Sequence, residues 1–321
     1  MTYPRSITHI PNHPNWYIYR MNWTTGEKRA YLELHLAVIL FGFTAILGDL
    51  ITLPSLTLVW WRVFLASISL YLIIRPRRTL QKLSRQAMWR FIGIGGLAGL
   101  HWIAFFGSVK LSNASITLIT LASGALFASM LEPWFFRKKV SGMEVLLGMM
   151  VIPGMYLVAS SVDFSMWAGI AAGLMASLLA VTFSILNKNY IRDSDALTIT
   201  FLEMSGAWLL VSILLPFVQY FAPSPLPFWP QNLDWVYLLI LALVCTTLGY
   251  ALSLNALNHL SAFTTSLALN MEPVYGMILA WLILHENKEL NTTFYLGVLV
   301  ILIAIFSHPF LKKRLRKQPV P

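Results

Sequence analysis

Apolar runs of about twenty residues recur along this chain. The run at residues 55–74, SLTLVWWRVFLASISLYLII, carries a single charge, Arg62. Twenty residues at 1.5 Å rise cover the roughly 30 Å hydrocarbon core of a bilayer. Inside lipid the backbone must satisfy its own N–H and C=O groups, so runs this long and continuous fold as helices. Ten spans are read, near residues 31–49, 53–74, 89–109, 112–134, 142–162, 166–186, 196–219, 234–255, 260–284 and 291–310. Only 11% of residues are charged, against about 25% in soluble domains. The expectation is an all-α integral membrane protein of ten transmembrane helices.

The net charge of +10 could suggest nucleic acid, but the positions of the basic residues explain it otherwise. Of 23 Lys and Arg residues, 20 lie in the tails and in alternate connections, among them Arg75, Arg77, Arg137, Lys138, Lys188 and Lys312. The opposite side holds Lys110 and Lys288, and Arg62 lies within a span. Positive connections stay cytoplasmic, so both termini are expected there, in the inner (plasma) membrane, with anionic lipid headgroups as partners at that face. The longest connection on the basic-poor side, FAPSPLPFWPQNLD at residues 221–234, has prolines that cannot continue a helix and reads as an extended loop. Cys245, the one cysteine, reads as a packing residue.

The chain repeats itself. With a shift of 148, Trp102 falls on Tyr250, Ala114 on Ala262, Thr117 on Thr265 and Leu121 on Leu269. With a shift near 141, SLTLVWWR falls on ALTITFLE and Arg62 on Glu203. Each half has five spans, and an odd number makes the second half enter the membrane from the other side. The halves are therefore expected to be inverted repeats, an architecture that places substrate near the midplane between them. The expected division is a cytoplasmic tail at 1–30, five-helix repeats at 31–162 and 163–310, and a basic cytoplasmic tail at 311–321.

Three stretches carry a family resemblance: RVFLA at residues 62–66, LSNASITLITLASGALF from Leu111, and LSAFTTSLALNMEPVYGMILAWLILHE at residues 260–286. With the ten-span, two-half layout they resemble the drug/metabolite transporter superfamily, EamA type, from about residue 33 to 308. The first half departs from the pattern, because Gly124-Ala125 stands where the second has Glu272-Pro273. The resemblance implies export or exchange of small polar metabolites, amino acids among them.

Arg62 heads the candidate site residues. A charge near the midplane costs roughly 2.5–3.5 kcal/mol on insertion scales and faces a bundle interior or a water-filled cavity. Its roles are a substrate contact, a gating charge or a structural clamp, and the repeat-related Glu203 is its expected ion-pair partner. Glu203 has a second reading as a proton-coupling site. Glu272, before Pro273 and beside Asn270, is expected to form a polar notch where the proline kinks span 9. Trp61, Trp102 and Tyr250, with Trp60 and Phe105, suit the aromatic wall of a site for amphiphilic molecules. His101 and Thr117 complete the set, each with the alternative of bonding a neighbouring helix. Gly95, Gly99, Gly169 and Gly173 read as helix-contact positions.

No nucleotide-binding glycine loop and no metal-ligand spacing is present in the sequence, so no cofactor is expected. The leading reading is a non-enzymatic secondary transporter that works by alternating access, with protons or a counter-substrate supplying energy. An integral membrane enzyme on lipid-linked substrates would need polar groups clustered at one face, and His285, Glu286 and Glu289 are the nearest such cluster. A non-transporting scaffold or sensor is the third reading.

Overall fold

The computed structural model describes residues 25–315, apart from 75–79, 82, 138, 141, 191–192, 258–267, 270 and 287–289. Helices are α1 (Thr25–Leu50), α2 (Ser55–Ile74), α3 (Arg85–Leu111), α4 (Ala114–Leu121), α5 (Gly124–Phe135), α6 (Gly142–Met149) and α7 (Val151–Ser160). They continue as α8 (Trp167–Tyr190), α9 (Ala196–Phe221), α10 (Asp234–Leu239), α11 (Gly249–Leu257), α12 (Glu272–Ile283) and α13 (Thr292–Leu315). A π-helical segment, Ile240–Leu248, joins α10 to α11. No strand occurs among the described residues. Seven helices are long and apolar enough to cross a membrane: Lys28–Leu50, Ser55–Ile74, Arg85–Leu111, Ala114–Phe135, Phe164–Tyr190, Ala196–Phe221 and Asp234–Ser253. Where the other three spans are expected, the structure has shorter apolar helices, Val151–Ser160, Glu272–Ile283 and Thr292–Ala304.

The helix starts are written locally. Ser84 accepts from Ala87 N, Asn113 from Ile116 N, Asp195 from Thr198 N and Asn291 from Phe294 N. Each satisfies an amide that the first turn leaves without a partner. Leu72, Ile213 and Leu282 stay exposed because lipid, not water, meets them.

The pairing of helices is unchanged when the two halves are exchanged. α2 packs on α9, α4 on α12 and α7 on α13; α3 packs on α8 as α1 packs on α11 and the π-helical segment. α3 also packs on α9, a crossing that Gly95 and Gly206 permit. A Cβ on Gly95 would stand 2.1 Å from the Glu203 carbonyl oxygen, and one on Gly206 2.2 Å from that of Ile92. The other glycines expected at contacts behave likewise, Gly99 against Ala207, Gly169 against Ser112 and Gly173 against Thr120.

Alternate connections gather on one face. Thr52 donates to the Asp234 carboxylate from N at 2.8 Å and from Oγ1 at 2.6 Å. Lys110 reaches the carbonyls of Asp49 and Ile51, and Asn291 Nδ2 donates to Ser161 O at 2.8 Å. This is the face that the sequence leaves poor in basic residues. At the other ends of the helices, Arg90 pairs with Asp193 and Lys188 with Glu132.

Candidate functional site

Arg62 is 3% exposed, on the face of α2 that meets α3 and the π-helical segment. Its Nε donates to Thr246 Oγ1 at 2.9 Å. The guanidinium lies over two rings of α3, with Cζ 4.5 Å from the Trp102 centroid and 5.5 Å from that of Phe106. Stacking of this kind contributes about 2 kcal/mol when the cation is desolvated. Nη1 is buried and has no hydrogen-bond partner among the described residues. The π-helical turn matters to the Nε bond. Thr246 donates its own hydroxyl proton to Leu241 O, five residues back, at 2.7 Å, which leaves an oxygen lone pair for Arg62.

The expected ion pair between Arg62 and Glu203 does not form. Glu203 is 1% exposed, its backbone presses on Gly95 of α3, and its carboxylate lies near Asn187 of α8. Glu203 Oε1 has no partner among the described residues. The two residues correspond in the repeat and sit on paired helices. Glu203 nevertheless sits where α9 crosses α3 at Gly95, and it makes no ion pair with Arg62. A hydroxyl and two aromatic faces hold the arginine instead of a carboxylate.

Glu272 is half-buried and opens α12, with its charge within electrostatic reach of Arg62. The kink expected of span 9 falls on residues 258–267 and 270, which lie outside the described residues. Met271 N bonds Ala268 O at 2.9 Å and the helix restarts at Glu272, so Pro273 occupies the first turn, where its missing N–H costs nothing. Asn270 lies outside the described residues. Tyr250 packs on Phe41 with centroids 5.8 Å apart. It is within electrostatic reach of Arg62, Glu203 and Glu272.

Three expected residues make contacts elsewhere. Trp61 faces the long connection on the basic-poor face, where Nε1 donates to Phe228 O at 2.8 Å among the rings of Phe228, Trp229 and Trp235. Trp61→Phe keeps the ring packing and loses that bond. Amide exchange across residues 222–233 is expected to speed up by about tenfold, the size of one net hydrogen bond. The His101 ring borders Trp102, but Nδ1 donates to Ala176 O of α8 at 2.8 Å. The Thr117 hydroxyl bonds Asn113 O at 2.9 Å and Ser108 Oγ at 2.8 Å and joins α4 to α3. The reading of the sequence passed over Thr246 and Phe106. A Thr-Thr pair in an apolar span is a visible signal; the wide π turn that turns Thr246 to Arg62 is not.

The structure therefore gathers Arg62, Trp102, Tyr250 and Glu272, with Glu203 at the edge. Of His285, Glu286 and Glu289, Glu286 has both carboxylate oxygens accepting backbone amides of α4, and Glu289 lies outside the described residues.

Known proteins share both sequence and shape with this chain. The uncharacterized transporter YxxF of Bacillus subtilis (strain 168) is 23% identical over 284 residues, which cover 86% of this chain and 88% of that protein. The pseudopaline exporter CntI of Pseudomonas aeruginosa (strain UCBPP-PA14) is 22% identical over 255 residues, 79% of this chain and 86% of that one. A crystal structure superposes with a TM-score of 0.61 at 14% identity, covering 90% of this chain and 99% of the other, a likeness of fold. The profile of the EamA-like transporter family matches residues 28–160 and again residues 167–315. With one match in each half, and helices apolar enough to cross a membrane in both, the chain belongs to the EamA-like transporter family.

Proposed function

We propose that the protein is a secondary exporter of small polar or amphiphilic metabolites, amino acids or related compounds, working by alternating access. In this reading the chain crosses the inner membrane ten times as two inverted repeats, 31–162 and 163–310, with both tails cytoplasmic. One observation carries it. Gly124 opens α5 and Glu272 opens α12, and the repeat shift of 148 maps one onto the other. Each half thus starts a helix at the same place, which we read as a broken span in both. Breaks at membrane depth are tolerated where the backbone is buried in protein or lines a cavity, and paired broken helices surround the central site in inverted-repeat transporters.

The binding roles follow from the chemistry of the group. Arg62 takes an anionic substrate group or gates its passage, and its Nη1 is the donor left over for this. Glu272, with Asn270 beside it, and Glu203 are acceptors for an amine or for coupling protons. Trp102 and Tyr250 supply apolar walls. Protons or a counter-substrate drive transport, and anionic lipids meet the basic face. The name of CntI, an exporter, supports the outward direction. The enzyme reading is disfavoured because Glu286 is committed to backbone amides.

The test is tolerance followed by counterflow. Bacteria expressing the chain are challenged with toxic levels of amino acids, amines and small aromatic metabolites, and purified protein in liposomes is then loaded with the protective class. Protection against one class, with counterflow of the same class, is the expected result. Counterflow of no member of these classes would overturn it.

A further inference from the structure

The two halves meet on the basic-poor face through two buried carboxylates, Asp234, which accepts from Thr52, and Glu286. Glu286 lies in the short connection between α12 and α13 and is 5% exposed. It follows His285, whose φ of 58° is in the left-handed region. That conformation costs a non-glycine residue about 1 kcal/mol or more and persists where its surroundings hold it. Here it turns the chain so that Glu286 points back into the protein. Glu286 Oε1 accepts from Ala114 N and Oε2 from Ser115 N, both at 2.9 Å. These are the first amides of α4, in the other half of the chain, and Asn113 caps the third, Ile116 N. An anion at a helix N-terminus is favoured by the helix dipole, and bonds to a charged acceptor are among the stronger ones.

Nothing comparable ties the halves at the opposite face among the described residues. There the bonds across the halves include Arg90 to Asp193, Lys188 to Glu132 and Asn255 Nδ2 to Glu33 Oε2 at 2.6 Å, all between partly exposed side chains, and such pairs contribute about 0–1 kcal/mol. One turn into α4 from the Glu286 bonds, Leu118 is buried and meets Gly276 of α12 across the same junction.

We propose that Glu286 is a latch: by bridging the amide end of α4 it holds the two repeats together on the basic-poor face, and its release opens the pathway to that side. The inference rests on the alternating-access reading, but its test needs no transport and so fails or succeeds separately.

The test uses detergent-solubilised full-length protein carrying Cys245→Ala, with a single Leu118→Cys as reporter and a water-soluble maleimide as probe. Glu286→Gln removes one acceptor. Ala114→Pro removes one donor from the other side of the same contact, at a first helical position that tolerates proline. Each is expected to raise the labelling rate at residue 118 by about tenfold, the population shift from losing one such bond. A second reporter, Phe91→Cys, lies in a separate buried cluster between α3 and α9 and is expected to label at its unaltered rate. An unchanged rate at residue 118, or an equal rise at residue 91, would overturn the latch and leave Glu286 as a helix cap that stabilises the whole fold.

Discussion

Arg62→Ala is expected to lower transport per folded molecule by at least about 100-fold, and Arg62→Lys to restore little of it. The alanine loses a stacked, desolvated cation, worth about 2 kcal/mol, and a charged hydrogen bond, worth about 1.5–3 kcal/mol. Each 1.4 kcal/mol is a factor of ten. Lysine keeps the charge but not the geometry. Its ammonium is a compact point charge, whereas the planar guanidinium lies over Trp102 at 4.5 Å while its Nε reaches Thr246 at 2.9 Å. The measurement is counterflow in liposomes, normalised to monodisperse protein. Native-level counterflow by the alanine variant would remove Arg62 from the transport mechanism. A loss confined to folded yield would assign it to the scaffold.

The interior of α3 yields the second large effect. Gly95→Ala is expected to destabilise the protein by about 3 kcal/mol, the upper end of ordinary overpacking. The added Cβ would stand 2.1 Å from the Glu203 carbonyl oxygen and 2.5 Å from its Cα, and a backbone cannot swing aside as a side chain can. α3 and α9 must separate, and Gly206 against Ile92 shows that the same contact is tight from the other side. Two neighbours are controls. A Cβ on Gly93 meets nothing within 4 Å, and one on Gly96 meets only the Leu210 side chain at 3.6 Å. Alanine at either control is expected to leave the thermal midpoint of the purified protein unchanged within a degree or two, on the scale of ordinary surface substitutions. A Gly95→Ala protein as stable as these controls would contradict the crossing.

The positions of the long helices were legible because the bilayer imposes a length and a composition that local sequence must meet. Ser55–Ile74 and Ala196–Phe221 lie where the apolar runs put them. Glycines at contact spacing were legible for a related reason: close approach of backbones needs a missing side chain wherever it happens. The helix start at Glu272 was half legible. Pro273 announced a disturbance, but a kink and a helix start both satisfy a residue without an N–H, and only the neighbours of the segment choose between them.

Sequence alone determined that this chain occupies a membrane, that its halves repeat, and that Arg62 must be compensated inside the protein. Those follow from hydrophobic length, from spacing, and from the cost of a charge in hydrocarbon. Which group compensates Arg62 was decided by tertiary structure. Each residue along a helix turns by about 100°, so small rotations set by Gly95, Gly206 and the π-helical turn redirect whole faces. Those rotations gave Arg62 to Thr246 and Trp102 and left Glu203 apart from it, while the left-handed turn at His285 gave Glu286 to the first amides of α4.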